Sequence, residues 1–464
     1  MSRLSRPHLA LLIPCAVVLI PRVVGWGQHP AIVDGDEMGF FALGIAEYAH
    51  RSPPWTFGPN GLPTAHLWLM GLADAAFGRD IWSARLVTAL FGAVQALAIV
   101  AASFRLAGGM GALTAAVVLC LPLELHFERL NMCNVWTTAT WSSAFALAVL
   151  APWRFWSAGV IGALLAAGWY GYQSSRLVPL IIAAPLLLLL VRASGRQRLV
   201  IAAGVLSFAL VLAPLAYGFW LTPPMLSGRA VNTSWLGSGA GMAGAQLHLQ
   251  ATLGAFSGSA FDHTAFFPYH LPLFTWPVML LALVGVGAAR SWPLALCLAG
   301  WIGAVAVGNF IRNIPVYSCV LICAVPAVAV AAGLSARRLR LAAPLLAAVS
   351  VLPLTWRYLD EARTVPQSVR GAMAHYRALQ SVPFGAPLLV GGMLPCAHGF
   401  NRLHTPCFDL ETPPAPLPVG AYAIVSAAQS SLADAIAGER HTEEWYGVPV
   451  LLVTPPRAGS ATAP

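Results

Sequence analysis

Charged residues are scarce in this chain. Asp, Glu, Lys and Arg together make up 9% of its 464 residues, whereas hydrophobic residues make up 58%. A soluble fold of this length needs more polar surface, so the composition predicts an α-helical polytopic membrane protein. The formal net charge is +9, but the basic residues form short clusters between apolar runs. This pattern indicates membrane topology, and we expect membrane lipid around the protein and no nucleic-acid partner.

Common signatures of metal and nucleotide sites are also missing. The eight cysteines include no CxxC motif, no two histidines form HxxxH or HExxH, and no glycine-rich loop joins a strand to a helix. We therefore expect no required cofactor. A divalent metal held by Asp36, Glu37 and a histidine such as His66 is the alternative. Cys396 and Cys407 lie in a polar region, and we expect them to pair if that region is outside the cytosol.

Long apolar runs fill most of residues 1–356. Runs of about 17 to 23 residues predict about eleven transmembrane helices. Their approximate limits are 8–26, 84–104, 110–124, 134–152, 157–173, 177–192, 199–221, 272–289, 293–310, 315–335 and 340–356. The first run also resembles a signal peptide. No small-residue cleavage site comes after it, which favours an uncleaved helix.

The distribution of charge predicts the orientation of these helices. With the N-terminus in the cytosol, the cytoplasmic turns contain a set of arginines: Arg105, Arg154, Arg192, Arg196, Arg198, Arg290, Arg337, Arg338 and Arg340. This is the positive-inside pattern. The same topology places all 17 acidic residues on the outer side of the membrane.

Three longer regions then lie on the outer side. Loop 27–83 contains amphipathic pieces such as TAHLWLMGLADAAFG, which we expect to lie along the membrane surface as helices. Loop 222–271 has a centre rich in glycine and alanine, which predicts a bend. The tail 357–464 alternates short apolar runs with polar, helix-like segments, which predicts a small α/β domain on the outer face. Residues 1–356 form the transmembrane domain.

The stretch VDGDEMGFF, residues 33–41, gathers three acidic residues soon after the first apolar run. A carboxylate near lipid is costly, so acids at this place are usually solvated or functional. One alternative is that Asp34 or Asp36 caps the next helix. A cap needs only one acid. The group of Asp34, Asp36 and Glu37 therefore indicates a functional site.

A set of arginines lies at predicted outer membrane boundaries: Arg85, Arg129, Arg176, Arg229 and Arg312. Arginines at such boundaries often extend toward lipid head groups, which is the structural alternative. The positive-inside tendency nevertheless disfavours arginine on the outer side unless something retains it there. A phosphate is a natural partner for the guanidinium group, so these residues are candidates for binding a lipid phosphate.

Several motifs occur in a specific order along the chain. The pair Asp36-Glu37 is followed by Phe40, then by Pro63 and HLWLMGLADAAFG, FGRDIWSARL, LPLELHFERLN and GYQSSRLVP. Over roughly residues 8–335 this order resembles the GT-C class of glycosyltransferases, closest to the protein O-mannosyltransferase and lipid A aminoarabinose transferase group. Related sequences often read Pro-Pro-Leu or Lys-Pro-Pro at this point, whereas this one reads LPTAHL. The resemblance therefore does not assign which residues near His66 contact the donor.

The resemblance implies the GT-C fold and transfer of a sugar from a polyprenyl-phosphate donor. The acceptor would be a glycan, a glycolipid or a protein at the outer face of a bacterial inner membrane. An inverting transfer needs a base for the acceptor hydroxyl, and we assign Asp36 to that role with Glu37 orienting the site. The leaving group is a lipid phosphate, which arginines stabilise without a metal. Candidate substrate-binding residues are Asp34, His66, Arg85, Glu128, Arg129, Tyr172, Arg176, Arg229 and Arg312.

Two other functions remain as alternatives. A transporter or flippase of lipid-linked sugars would place ionisable residues near the bilayer midplane, often in repeated halves. The acids of this chain are instead predicted on the outer side, and no clear repeat is present. An O-antigen ligase or polymerase type of enzyme would be favoured by a large outer loop in mid-chain. The early acidic pair and the long polar tail favour the transferase.

Overall fold

The computed structural model describes the chain in segments. They are 6–24, 63–77, 81–130, 134–151, 154–172, 178–223, 260–263, 267–272, 275–311, 342–364, 370–383, 386–391, 407–409, 419–434, 438–445 and 447–455, with a few isolated positions and short pieces between them.

The described part of residues 1–361 is mainly helical. The α-helices are α1 (Arg6–Val23), α2 (Ala65–Phe77), α3 (Ile81–Val118), α4 (Pro122–Arg129), α5 (Asn134–Leu150), α6 (Phe155–Ala167), α7 (Val178–Arg192), α8 (Gly195–Leu221), α9 (Trp276–Ala289), α10 (Trp292–Ile311) and α11 (Ala342–Glu361). Each predicted transmembrane segment that falls among the described residues overlaps one of these helices. Most of the predicted segment 315–335 lies outside the described residues.

Within the described residues, three helical stretches are long and apolar enough to cross a membrane. They are Trp82–Val118, Gly195–Leu221 and Ala342–Glu361, and four shorter apolar helices accompany them. These helices confirm the predicted α-helical membrane fold. The total of about eleven spans stays a prediction. Helix α2 occupies the surface-helix sequence predicted within loop 27–83.

Helix α3 is interrupted where two predicted spans meet. Gly108 has φ 69° and ψ −162°, a conformation that a residue with a Cβ atom rarely adopts. The next residue approaches the first helix, because a Cβ on Gly109 would lie 3.3 Å from the Cβ of Ala10. Arg105, one of the predicted cytoplasmic arginines, is exposed beside this break. The glycine therefore separates the predicted spans 84–104 and 110–124.

Small residues bring α6 and α8 together. A Cβ on Gly162 would collide with the backbone of Gly204. A Cβ on Gly204 would in turn lie 3.0 Å from the carbonyl oxygen of Ala158. Close approach of backbones at small residues is the usual way in which transmembrane helices pack.

The C-terminal ends of α1 and α11 lie beside α4. Thr355 in α11 donates a hydrogen bond of 2.7 Å to the carbonyl of Cys120, just before α4. The hydroxyl of Tyr358 lies 3.4 Å from Nδ1 of His126 in α4. Every residue of α4 is buried, including its four polar or charged ones. Residues 121–130 of the motif LPLELHFERLN are therefore part of a packed core.

A β-hairpin lies within the predicted loop 222–271. Its strands are β1 (Ala260–His263) and β2 (Phe267–Pro272), which pair antiparallel. The second strand contacts α4 and α11, and Leu271 on it is fully buried.

The C-terminal region contains α12 (Arg370–Gln380) and a five-stranded sheet. The strands are β3 (Leu388–Gly391), β4 (Cys407–Asp409), β5 (Tyr422–Ser426), β6 (Glu439–Trp445) and β7 (Val448–Thr454). Their order is β4-β3-β5-β7-β6. β3 runs parallel to β4 and β5, whereas β7 runs antiparallel to β5 and β6.

Both faces of this sheet carry apolar residues. On one face Leu388, Ile424 and Leu452 join a core that includes Ala374 and Ala378 of α12. On the other face Leu389, Ala423 and Val453 belong to a separate cluster with Ala433. The edge strand β6 has the sequence ERHTEEW and is largely exposed, and its charges disfavour pairing with another sheet. The predicted small α/β domain is thus confirmed. Its place on the outer face stays a prediction.

Candidate functional site

A buried ion pair joins α1 to α4. Nε of Arg22 lies 2.7 Å from Oε2 of Glu128, and each side chain is only 3% exposed. The contact is ionic, since Arg22 Nε and both Glu128 carboxylate oxygens make no hydrogen bond of good geometry within the described part of the chain. The neighbouring acid, Glu124, accepts a hydrogen bond from Nε2 of Gln95 in α3. Glu124 and Glu128, both within the motif LPLELHFERLN, therefore lie inside the helix bundle together with Arg22.

Gly92 in α3 makes room for Glu128. A Cβ at this position would lie 2.7 to 2.9 Å from three side-chain carbons of Glu128. Real Cβ atoms essentially never approach this closely, so any larger residue would displace the carboxylate. The glycine is therefore required for the position of the ion pair.

Two arginines bind backbone carbonyls at the end of α1. The guanidinium of Arg22 donates to the carbonyl of Val18 at 2.7 Å and to that of Leu119 at 3.0 Å. The guanidinium of Arg129 donates to the carbonyl of Pro21 at 3.3 Å and to that of Val24. Pro21 belongs to the last turn of α1, where backbone carbonyls lack partners within the helix, and basic side chains are suited to bind such carbonyls. Arg22 and Arg129 thus hold the C-terminal end of α1 against α3 and α4.

A cavity of about 200 Å³ lies beside Arg129. It is lined by Ile20, Val24, Arg129, Trp356, Leu359, Asp360 and Arg363. Its apolar residues come from the ends of α1 and α11, and three of them, Ile20, Val24 and Trp356, are among the exposed hydrophobic residues of the protein. The cavity combines an apolar wall with two arginines and one aspartate.

His66 occupies the start of α2 and is fully buried. Its ring lies near the rings of Phe91 and Trp136, with centroids 6.1 Å away in each case. Neither ring nitrogen has a hydrogen-bond partner among the described residues. Burial lowers the pKa of His66 to about 3. The imidazole is therefore neutral at physiological pH and does not act as a cation.

Arg85 and Tyr172 are also buried. Arg85 in α3 is 2% exposed and Tyr172 is 3% exposed. Tyr172 comes just after a 3₁₀ turn, Gly168–Tyr170. Its backbone N–H donates to Oγ1 of Thr137 in α5 at 3.1 Å. Of the predicted substrate-binding residues, the structure thus describes His66, Arg85, Glu128, Arg129 and Tyr172.

The other predicted site residues lie outside the described residues. They are Asp34, Asp36, Glu37, Arg176, Arg229 and Arg312. Cys396 lies outside them as well, so the disulfide with Cys407 stays a prediction. Within the described residues, no three His, Cys, Asp or Glu side chains form a group that could hold a metal ion. The alternative metal site with Asp36 and Glu37 remains untested, since both acids lie outside this part of the chain.

Arg22, Gly92 and Gln95 are not among the site residues predicted from the sequence. Arg22 stands at the predicted outer boundary of the first helix, so the criterion that selected Arg85 and Arg129 applies to it equally. Gln95 carries a weaker signal, as an amide within the apolar run 84–104. Gly92 carries none, because its role depends on a side chain from a distant part of the chain.

Comparison with known proteins reveals similarity in structure alone. No protein-family model matches the sequence, and no curated protein is significantly similar to it. Among solved structures, the chain is similar to ArnT from Cupriavidus metallidurans bound to undecaprenyl phosphate, with a TM-score of 0.63 and 15% identity over 97% of this chain and 98% of that one. It is also similar to the oligosaccharyltransferase AglB from Archaeoglobus fulgidus in complex with an inhibitory peptide and a dolichol-phosphate. That similarity has a TM-score of 0.56 and 14% identity, over 92% of this chain and 70% of that one. These similarities confirm that the chain has the GT-C fold predicted from its motifs.

Proposed function

We propose that the protein is a GT-C glycosyltransferase that moves a sugar from a polyprenyl-phosphate donor to an acceptor. The observation that carries this proposal is the similarity in fold, over nearly the whole chain, to ArnT bound to undecaprenyl phosphate. AglB, the second similar protein, was solved with dolichol-phosphate, another polyprenyl phosphate. The motif order of the sequence supports the same class independently.

In this reaction Asp36 takes the proton of the acceptor hydroxyl as that oxygen attacks the anomeric carbon. The bond between this carbon and the phosphate oxygen breaks, and the polyprenyl phosphate leaves. Attack from the face opposite the leaving group inverts the configuration. Glu37 orients the acceptor, and arginines stabilise the charge of the released phosphate. We propose Arg129, Arg176 and Arg229 for this role.

The surroundings of Arg129 support a role in binding a lipid phosphate. This arginine lines a cavity of about 200 Å³ whose wall includes Ile20, Trp356 and Leu359. A phosphate attached to a prenyl chain needs a cation for its head and apolar side chains for its tail. Arg363 at the same cavity adds a second guanidinium, and Asp360 partly offsets this charge.

We also propose where the reaction takes place and on which substrates. The reaction takes place at the outer, periplasmic face of a bacterial inner membrane, where the charge distribution of the sequence puts the acids. The donor sugar is a hexose or a pentose. The acceptor is a glycan, a glycolipid or a protein. No cofactor is needed, because the leaving phosphate is stabilised by arginines.

The experiment that tests this proposal measures transfer of labelled sugar from polyprenyl-phosphate carriers in membranes. Wild-type protein is compared with Asp36→Asn at equal protein amounts, and we expect the variant to lose at least about 100-fold in rate. Asp434→Asn is the matched control, since Asp434 is an exposed acid paired with Arg440 in the C-terminal domain. Full activity of Asp36→Asn would remove that residue as the base. Movement of lipid-linked sugar across the membrane without transfer would favour the flippase.

A further inference from the structure

Arg22 makes contacts that the proposed mechanism does not use. Its side chain lies at the C-terminal end of α1, is 3% exposed, and forms an ion pair with Glu128 in α4. It also donates to the carbonyls of Val18 in its own helix and of Leu119 at the end of α3. One guanidinium therefore connects three helices at a single point.

Arg129 forms the reciprocal connection. It is the residue directly after Glu128 in α4 and donates to the carbonyls of Pro21 and Val24 at the end of α1. Glu128 thus binds the side chain of Arg22 in α1, and the adjacent Arg129 binds backbone carbonyls at the end of α1. A shift of α1 would therefore move Arg129 as well as the end of the helix.

The position of α1 matters because its C-terminal end forms part of the cavity beside Arg129, through Ile20 and Val24. Arg129 is the predicted phosphate-binding residue and is itself bonded to the carbonyls of Pro21 and Val24. We propose that Arg22 is a positioning residue of the transfer reaction, which fixes the end of α1 relative to α4 and thereby the place of Arg129 in this cavity. This proposal rests on the proposed function.

A purely structural role predicts a different outcome. Replacing a buried ion pair by apolar residues of similar size is often neutral for stability, whereas removing one partner is strongly destabilising. The double variant Arg22→Met/Glu128→Met removes both charges of the ion pair together. It also removes the hydrogen bonds to Val18 and Leu119. The double variant therefore tests the positioning role of Arg22 without leaving one partner of the ion pair buried alone.

The test measures kcat, KM and thermal unfolding of the double variant with a labelled sugar on undecaprenyl phosphate as donor. We expect a Tm close to that of the wild type, a KM within about twofold and a kcat lowered about 10- to 100-fold, since small misplacements of catalytic groups have effects of this size. Arg22→Lys should recover part of kcat, because lysine keeps the charge but lacks the fork that reaches two carbonyls. A wild-type kcat in the double variant would overturn the proposal.

The matched control is Arg357→Met/Glu361→Met. This pair has a similar separation, 2.6 Å, but is exposed and lies within α11 alone. We expect unchanged kcat and KM. An equal loss of kcat in this control would show that the effect is not specific to α1, and it would overturn the proposal.

A second readout requires neither activity nor the double variant. Hydrogen exchange of the backbone amides in residues 17–24 reports how firmly the last turn of α1 is held. We expect faster exchange in Arg22→Lys than in the wild type and no change in the Arg357 control. Unchanged exchange in Arg22→Lys would overturn the proposal even if the wild type transferred no sugar. Failure of the proposed function alone would appear as absent transfer with the exchange difference retained.

Discussion

The protein contains two arginine–glutamate pairs with nearly equal separations and opposite surroundings. Arg22 and Glu128 lie 2.7 Å apart and are each 3% exposed, whereas Arg357 and Glu361 lie 2.6 Å apart and are 55% and 32% exposed. The first pair joins two distant parts of the chain, and the second joins consecutive turns of α11. The distance between the charges is thus a poor guide to their importance. Burial and the number of helices that they connect distinguish the two pairs.

The largest loss of stability should come from replacing one partner of the buried pair. Glu128→Gln removes the carboxylate that is paired with the buried cation of Arg22, and we expect a loss of about 3 to 5 kcal/mol in the free energy of unfolding. Thermal or denaturant unfolding in detergent measures this loss. A variant as stable as the wild type would mean that water or another group reaches Arg22.

A smaller loss of stability should result from placing a larger residue against the same pair. Gly92→Ala puts a methyl group where the side chain of Glu128 lies, and overpacking of this kind costs about 1 to 3 kcal/mol. Gly159→Ala in α6 is the control, since a Cβ there meets no atom within 4 Å. If both variants unfold alike, Gly92 does not define the position of the ion pair.

His66 is a buried titratable group of a different kind, because it stays neutral instead of forming an ion pair. Its pKa of about 3 lies below the ordinary value of 6.5, so the unfolded chain binds a proton more readily than the folded protein. Stability is then complete above pH 6.5 and falls as the pH is lowered toward 3, by about 2 kcal/mol at pH 5. His66→Phe should remove this part of the pH dependence. An unchanged slope in that variant would assign the acid sensitivity to other groups.

The smallest effect should come from the exposed pair. Arg357→Met should change the free energy of unfolding by less than about 1 kcal/mol, and added salt should weaken even this contribution. Unfolding of wild type and variant at low and high salt measures it. A loss as large as that in Glu128→Gln would contradict the distinction between the two pairs.

The sequence was sufficient to predict most of the helices that the structure describes. Apolar runs such as 134–152 and 199–221 coincide with α5 and α8, because lipid-facing and core-facing residues are both apolar and the run length is set by bilayer thickness. The tail was predicted as an α/β domain from its alternating runs, and its sheet confirms this. The order of the strands in the sheet could not be predicted, because the sequence between β3 and β4 has no regular apolar spacing.

The surroundings of the site residues were harder to predict. Glu128 and Arg129 stand in a motif that the charge distribution predicts at the outer boundary of the membrane, and in the structure all of α4 is buried. Their contacts, Arg22, Pro21 and Val24, come from the first helix and the residue after it. No local sequence pattern predicts a contact between residues so far apart in the chain. His66 was expected near the substrate, and only the fold places it beside the rings of Phe91 and Trp136.

The most direct test of the whole account is release of the carrier by purified wild-type protein in lipid nanodiscs. Undecaprenyl phosphate carrying a labelled sugar is supplied with a mixture of candidate acceptors from the bacterial envelope. The account predicts that one molecule of free undecaprenyl phosphate appears for each labelled sugar joined to an acceptor, and that Asp36→Asn forms neither product. Intact donor after incubation with every sugar and acceptor tried would contradict the assignment of the protein as a polyprenyl-phosphate-dependent glycosyltransferase.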